Sequence, residues 1–481
     1  MSAGADRGGV RISLALLVYL AAFISTLALA HPVLTDQDPF WHIAAGNWII
    51  EHRAIPDRDV FSNSMPGAPW IAHEWLAEVA IALVYDYLGW AGLVVMTGMI
   101  FSAALALLTR FLLRFLAPIH VVPLVLGAWG LCLAHLHARP HVFGLPLLVM
   151  WFAVLDRQRL EERVPSMLLA AIIALWANLH GGYMLGLALG ALLAGEALLD
   201  APDRPRFMTL LGGWGGFLLV AILAAFLTPN GIRGLTLPFT VMQSSFAGAM
   251  IGEWKSPDFQ TLQPLELWML LGLLGIMSFG LRLPIARIVI LFVVLHMALA
   301  HQRFAEVLGL IAPLLIAPEL AMQLGTAGDA RLRGFASALV KPASPIGVAL
   351  AALAVAVIGA AFMRLGIDNQ DHRFAPTAAV AFVKQQQVAG AVFNDYEFGG
   401  YLIFSGIAPF VDGRADIYGD DFLRRYANVA ALPDLLDQYR IGWTLLERHD
   451  PRATLIDHLP GWQRIYGDDI AVVHRRTAAI P

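Results

Sequence analysis

From about residue 12 to residue 363 the chain is a succession of apolar runs separated by short polar stretches. About 20 consecutive apolar residues carry a helix across a bilayer. About eleven segments approach that length, at roughly 12–30, 90–109, 119–135, 142–155, 165–179, 183–199, 208–228, 265–281, 287–300, 304–318 and 344–363. Thr26-Leu27-Ala28-Leu29-Ala30 has the small residues of a signal cleavage site, but the apolar stretch before it exceeds a usual signal core, so an uncleaved anchor is expected.

Three regions break the pattern. A first loop at 31–89 is rich in Trp, Pro, His and acids; its later part, from Glu74 to Tyr87, reads as a helix along the membrane interface, with Glu74 and Glu78 on one face. A second loop at 229–264 holds Thr228-Pro229-Asn230-Gly231 at its start and Gly252-Glu253-Trp254 later. The tail, 364–481, alternates β-like runs (Ala391–Phe393, Pro409–Val411, Trp443–Leu446, Ile470–Val473) with helix-like runs (Asp421–Val429, Leu432–Tyr439), the pattern of a small α/β domain. The expected architecture is a polytopic α-helical membrane domain, 1–363, followed by a soluble α/β domain, 364–481.

Charge orients it. With the N-terminus inside, fourteen basic residues fall on inside segments (Arg7, Arg11, Arg110, Arg114, Arg157, Arg159, Arg163, Arg204, Arg206, Arg282, Arg287, Arg331, Arg333 and Lys341). Six fall on outside loops (Arg53, Arg58, Arg139, Arg233, Lys255 and Arg303), and the tail is placed outside. Composition agrees: 58% of residues are hydrophobic and 14% charged, against about a quarter charged in soluble domains. A net charge of -4 argues against nucleic acid as a partner, and the lone Cys132 forms no intrachain disulfide.

The histidines change the picture further. Of fifteen, only His120 lies at an inside end, whereas nine, including His42, His137, His141, His180 and His301, lie in or beside outside loops. Polar helix ends alone predict no such bias, so the skew favours a polar site at the outer face. Its strongest signal is Thr35-Asp36-Gln37-Asp38-Pro39-Phe40-Trp41-His42. Two carboxylates one residue apart repel, raising at least one pKa; such a pair can deprotonate a hydroxyl or bind a divalent metal such as Mg or Mn. Asp38-Pro39 also reads as a helix start, so Asp38 is a candidate cap.

A second set, His135-Leu136-His137-Ala138-Arg139-Pro140-His141, matches no strong zinc spacing, but Arg139 suits a phosphate. His301 with Arg303, and Arg233 after Pro229-Asn230-Gly231, offer the same chemistry; snorkelling to headgroups is the alternative for each arginine. Asn178-Leu179-His180-Gly181-Gly182 places two polar side chains at membrane depth beside a tight turn. In the tail, Asn394–Tyr401 and Val411–Tyr418 are dense in acids and aromatics that suit a sugar, or simply mark turns at strand ends.

Together these features resemble the GT-C superfold of membrane glycosyltransferases, which take sugar from a polyprenyl-phosphate carrier. The resemblance rests on the many spans, the acids of the first outside loop, the juxtamembrane helix and the outer C-terminal domain. Trp41–Gly46, Asn178–Gly182, Glu253–Asp258 and Asp412–Asp416 look like a bacterial branch of that group. It implies a multi-pass protein of the bacterial inner membrane with a periplasmic tail, moving sugar to a glycan, lipid or protein acceptor. Asp36 or Asp38 would activate the acceptor hydroxyl, with an optional divalent metal. Arg139, Arg303 or Arg233 would hold the carrier phosphate, with His42, Glu74, His137, His141, Asn178, His180 and His301 lining the site. The usual adjacent acidic pair is spread here as Asp36-Gln37-Asp38, which leaves the choice of base open. The alternatives are an O-antigen-type glycan polymerase or ligase, a transporter, and a non-enzymatic envelope scaffold. The acidic first loop weighs against the first, and the scarcity of ionisable residues in the spans against the second.

Overall fold

The computed structural model describes residues 10–243, 252–325, 339–369 and 373–477, with backbone alone at 238–243. The inside residues Arg7, Arg331 and Arg333 and part of the 229–264 loop lie outside the described residues. Up to residue 363 the chain folds as α1 (Leu14–Ala28), α2 (Ala30–Leu34), α3 (Asp38–His52), α4 (Trp75–Leu112), α5 (Pro118–Leu133), α6 (His141–Leu160), α7 (Ala170–Leu179), α8 (Tyr183–Leu199), α9 (Arg204–Ala225), α10 (Gly231–Gln243), α11 (Pro264–Phe279), α12 (Ile285–Ala300), α13 (Ala305–Leu324) and α14 (Pro345–Met363).

Every expected apolar segment falls on one of these helices. By length and composition, four described helices can cross a membrane (Trp75–Leu112, Arg204–Ala225, Gln302–Leu324 and Pro345–Met363), and six more are apolar but shorter. The exterior is lipid-like: Leu270, Leu271, Leu274, Met277 and Phe279 on α11 are all more than half exposed, between 55% and 76%. Monomeric soluble proteins rarely leave so much contiguous apolar surface exposed.

The helix from Glu74 to Tyr87 and the second span, read separately in sequence, are two helical arms that meet at a non-helical Gly89. α4 runs 38 residues with an elbow at Gly89 (φ 63, ψ -162), a conformation open to glycine almost alone. The arm before the elbow packs on α3, where Gly46 lies so close that a Cβ would meet Glu78 O at 2.2 Å. Beyond the elbow α4 lies against α1, and Gly98 lets Phe23 and Thr26 approach, as small residues do between membrane helices.

The tail forms a four-stranded sheet in the order β1-β2-β4-β3, from β1 (Ala391–Asn394), β2 (Ile441–Glu447), β3 (Trp462–Gly467) and β4 (Ala471–Arg476). β1 and β2 are parallel; the other two pairs are antiparallel. α15 (Thr377–Gln385), α16 (Gly399–Phe404), α17 (Ala415–Ala427), α18 (Leu432–Gln438) and α19 (Pro451–Asp457) complete it. Two expectations need correction. Pro409–Val411 is not a strand: the buried Asn394 amide takes the place of a ladder, accepting from Phe410 N at 2.6 Å and donating to Val411 O at 2.8 Å. β3, half-exposed at the sheet edge, carries Gln463 and Arg464 and so lacks the apolar run that marks the other strands.

The tail does not stand apart from the first loop. Asn63 donates to Val392 O and Ala408 O at 3.0 and 2.8 Å, and Ser64 Oγ to Phe410 O at 2.5 Å. Arg414, buried, bridges Asp59 at 2.8 Å and Asp412 at 2.7 Å, and its guanidinium lies 5.0 and 4.8 Å from the ring centres of Phe61 and Trp70. Breaking such a buried pair from one side typically costs about 3–5 kcal/mol, so this contact is a firm seam rather than a brush of surfaces.

Candidate active site

The first span ends at α2, and Asp36-Gln37-Asp38 turns the chain into α3. The turn is closed by Asp36, whose Oδ1 accepts from Asp38 N at 2.8 Å. Asp38 therefore does not cap; it occupies the first position of α3, ahead of Pro39, with its Oδ1 accepting from Trp41 Nε1 at 3.0 Å. The loop after α5 is pinned against this turn by Ala138 N donating to Val33 O at 3.0 Å and by a His137 Nδ1 contact with Pro32 O at 3.2 Å. That pinning brings Arg139 onto the aspartates.

Arg139 grips Asp36 with two prongs, through Nε at 2.8 Å to Oδ1 and through Nη2 to Oδ2. Its Nη1 lies 3.1 Å from both Asp38 Oδ2 and Glu253 Oε2. Glu253 in turn reaches Arg303 Nη1 at 3.2 Å, and that guanidinium sits 4.9 Å over the Trp254 ring. His301 Nδ1 is 2.5 Å from Trp254 O. The result is an alternating chain of charge: Asp36 and Asp38, Arg139, Glu253, Arg303.

The acids of that chain differ. Burial pushes Asp38 up to about 7, with Arg139 opposing and the Asp36 carboxylate adding to the rise. Glu253 moves the other way: burial would raise it, but Arg139 and Arg303 hold it down at about 2. Asp38 is thus a carboxyl that changes charge near neutrality, whereas Glu253 is a fixed anion between two cations.

A second cluster lies beside the first. Glu74 stands at the head of α4, with His180 Nε2, His73 Nε2 and His42 Nε2 at 3.6, 3.7 and 3.9 Å from its oxygens. His42 is buried, and its Nδ1 lies 3.4 Å from Glu78. Burial raises the Glu74 carboxyl and lowers His42 and His180, the latter to about 3. In each case burial works against the charged form. Asn178 accepts from Trp75 Nε1 at 2.8 Å and holds the α7 end to the arm of α4; His141 Nε2 contacts His135 O at 3.1 Å, its ring 6.4 Å from that of His180.

Of the sequence candidates, Asp36, Asp38, Arg139 and Arg303 meet in one chain of contacts, and Glu74, His42 and His180 in the adjoining one. Arg233 does not join: it is exposed on α10 and makes no ion pair among the described residues. His137, His141, Asn178 and His301 serve loop and helix-end contacts. Glu253 and His73 were missed as site residues. An acid between Gly252 and Trp254 in an outside loop was the available signal for Glu253; His73 had none beyond its side of the membrane.

The tail roofs the turn. Gly400 and Gly413 allow it: a Cβ on Gly400 would meet Gln37 O at 2.3 Å, and one on Gly413 would meet Asp38 Oδ1 at 2.5 Å and Trp41 Nε1 at 2.9 Å. Most polar residues of the two tail motifs are structural, Asp395 pairing with Arg452 at 3.1 Å and Asp412 with Arg414. Glu397 differs. Burial raises it to about 7, with Asp36 and Arg139 among the charges it feels.

A divalent metal on Asp36 and Asp38 does not fit this donor set. Both Asp36 oxygens and one Asp38 oxygen face the Arg139 guanidinium, and the other Asp38 oxygen faces an indole N–H. Among the described residues no group of three or more His, Cys, Asp or Glu side chains is arranged to hold a metal ion.

No family model and no curated protein matches the chain. Solved structures do. The archaeal oligosaccharyltransferase AglB from Archaeoglobus fulgidus, in complex with an inhibitory peptide and a dolichol-phosphate, aligns with a TM-score of 0.55 at 12% identity, over 90% of this chain and 69% of that one. The apo form of the Archaeoglobus fulgidus oligosaccharyltransferase gives 0.53 at 12% identity, again over 90% and 69%. ArnT from Cupriavidus metallidurans, bound to undecaprenyl phosphate, aligns at 0.50 with 13% identity, over 97% of this chain and 98% of that one. The chain therefore shares the fold of these structures, a polytopic helical membrane domain that carries an α/β domain at its C-terminus.

Proposed function

We propose that this chain is an inverting membrane glycosyltransferase that moves a sugar from a polyprenyl-phosphate carrier to a hydroxyl of an envelope lipid, glycan or protein. The observation that carries this reading is the chain Asp38–Arg139–Glu253–Arg303 at one end of a fold shared with structures that hold dolichol-phosphate and undecaprenyl phosphate. The positive-inside count favours the periplasmic side of a bacterial inner membrane for that end, and the motif likeness favours a bacterial branch.

The roles divide by what each side chain already holds. Asp36 is committed to Arg139 and positions it. Asp38 is the base: it takes the proton of the acceptor hydroxyl, whose oxygen attacks the anomeric carbon as the bond from that carbon to the phosphate oxygen breaks. The electron pair leaves on the carrier phosphate. Arg139 is saturated with carboxylates, so Arg303, stacked on Trp254 and bound to Glu253 through one nitrogen, is the better-placed cation for that phosphate. Glu74, His73 and His180 offer a wall of hydrogen-bonding groups for sugar hydroxyls.

The test uses undecaprenyl phosphate with the purified chain in nanodiscs, and labelled undecaprenyl-phosphate sugars with membranes that contain it. Saturable carrier binding is expected, weakened about tenfold or more by Arg303→Ala, as loss of a charge-assisted contact implies. Asp38→Asn should keep binding and lose sugar incorporation. Absence of saturable binding, or full incorporation by Asp38→Asn, overturns the reading.

A further inference from the structure

The far end of the bundle holds a feature that the transfer reaction does not use. The last turns of α4 and α6 and the middle of α13 part around a cavity of about 420 Å³. α6 itself spans the distance: its 20 residues run from His141, near the site, to Leu160 in the cavity wall. At 1.5 Å per residue that is about 30 Å, the thickness of a bilayer's hydrocarbon core. The cavity therefore opens at the opposite headgroup level.

Its lining is largely apolar, with Ala153, Leu160, Leu314 and Ala317, and includes Arg114 and Arg157. Two acids also line it, and neither stands free to repel an anion. Asp156 is held by the buried Arg287, which also binds Glu196 at 2.7 Å. Glu161 is shared by Arg157 at 2.6 Å and Arg163 at 3.1 Å. Arg114 is left with no ion pair among the described residues; its guanidinium lies 4.6 Å from the centre of the Phe111 ring. Burial, then the like charges of Arg157 and Arg110, work against its charged form, and the Glu161 carboxylate opposes them. Arg114 and Arg157 are exposed, so both guanidinia are open to headgroups while they line, together with Leu314 and Ala317, a slot of the size of a small-molecule site.

We infer that this cavity binds one acidic phospholipid from the leaflet opposite the candidate active site, its phosphate on Arg114 and Arg157 and its first methylenes against Leu314 and Ala317. Guanidinium forks match phosphate oxygens in pairs, and basic pockets between helices on the cytoplasmic side suit anionic headgroups.

The full chain, in phosphatidylcholine nanodiscs titrated with phosphatidylglycerol, is analysed by native mass spectrometry for retained lipid. One phosphatidylglycerol is expected to stay bound more tightly than phosphatidylcholine. Arg114→Gln should weaken it about tenfold. Ala317→Trp, which fills the slot and leaves the charges alone, should displace it, with a melting curve showing that each variant is folded. Equal retention of the two lipids by the wild-type chain overturns the proposal without reference to any variant. So does unchanged retention in both folded variants. Displacement of phosphatidylglycerol by millimolar inorganic phosphate alone would overturn the lipid as the ligand.

Discussion

Asp36 and Asp38 sit two residues apart and share one arginine, yet they end in different states because their oxygens are differently employed. Asp36 gives one oxygen to Arg139 and divides the other between Arg139 and Asp38 N. Asp38 shares one edge of Arg139 with Glu253 and keeps 17% of its side chain exposed. An acid raised by burial is neutral below its shifted value and charged above it, so Asp38 becomes a base only as pH rises through about 7. Infrared difference spectra of the full chain should therefore lose protonated-carboxyl absorbance as pH crosses about 7. Glu397 titrates in the same range. Asp38→Asn should remove part of the change, and Glu397→Gln a separate part. If Asp38→Asn leaves the titrating band intact, Asp38 is not the group that switches. The sequence marked the pair by spacing alone. It could not say which member was free, because that depends on Arg139, Trp41 and Glu253, which arrive from three elements.

At the scale of elements, the legible part was whatever burial in lipid imposes. The helices α5 to α9 follow from apolar runs, since a spanning segment must satisfy its own backbone bonds. What escaped was anything set by close approach. Gly400 and Gly413 read as turn glycines, but their lack of a side chain is what lets the tail rest on Gln37 and Asp38. Gly413→Ala would drive a Cβ to 2.5 Å from Asp38 Oδ1. Such overpacking costs about 1–3 kcal/mol, and amide hydrogen exchange from Asp36 to Trp41 should speed up accordingly. Exchange at the wild-type rate would mean that the roof bears no weight at this point.

For the whole molecule, composition suggests a division into a membrane domain and a tail; buried side chains cluster within each part, but Trp41, Ala45, Trp70 and Ala72 share a cluster with Ile403 of the tail. The seam between them was not readable. Asp59, Asp412 and Arg414 are hundreds of residues apart in part, and each alone looks like an ordinary loop polar residue. Arg414 holds the Asp412 carboxyl below its usual range in spite of burial. The stability this adds is present above the ordinary aspartate value and is lost as pH falls through the lowered one.

The elbow at Gly89 has a mechanical meaning. Spanning helices tilt to match the thickness of the surrounding bilayer. In a continuous α4 that tilt would swing Glu74 and Glu78 away from His42. A break at Gly89, φ 63 and ψ -162, would let the part of α4 beyond it lean while the arm stays packed on α3. Undecaprenyl phosphate affinity should then stay nearly constant in nanodiscs of short- and long-chain lipids. Affinity that tracks chain length would show the two halves of α4 moving as one rod. Constant affinity would mean that the carrier-binding end tolerates membranes of unequal thickness.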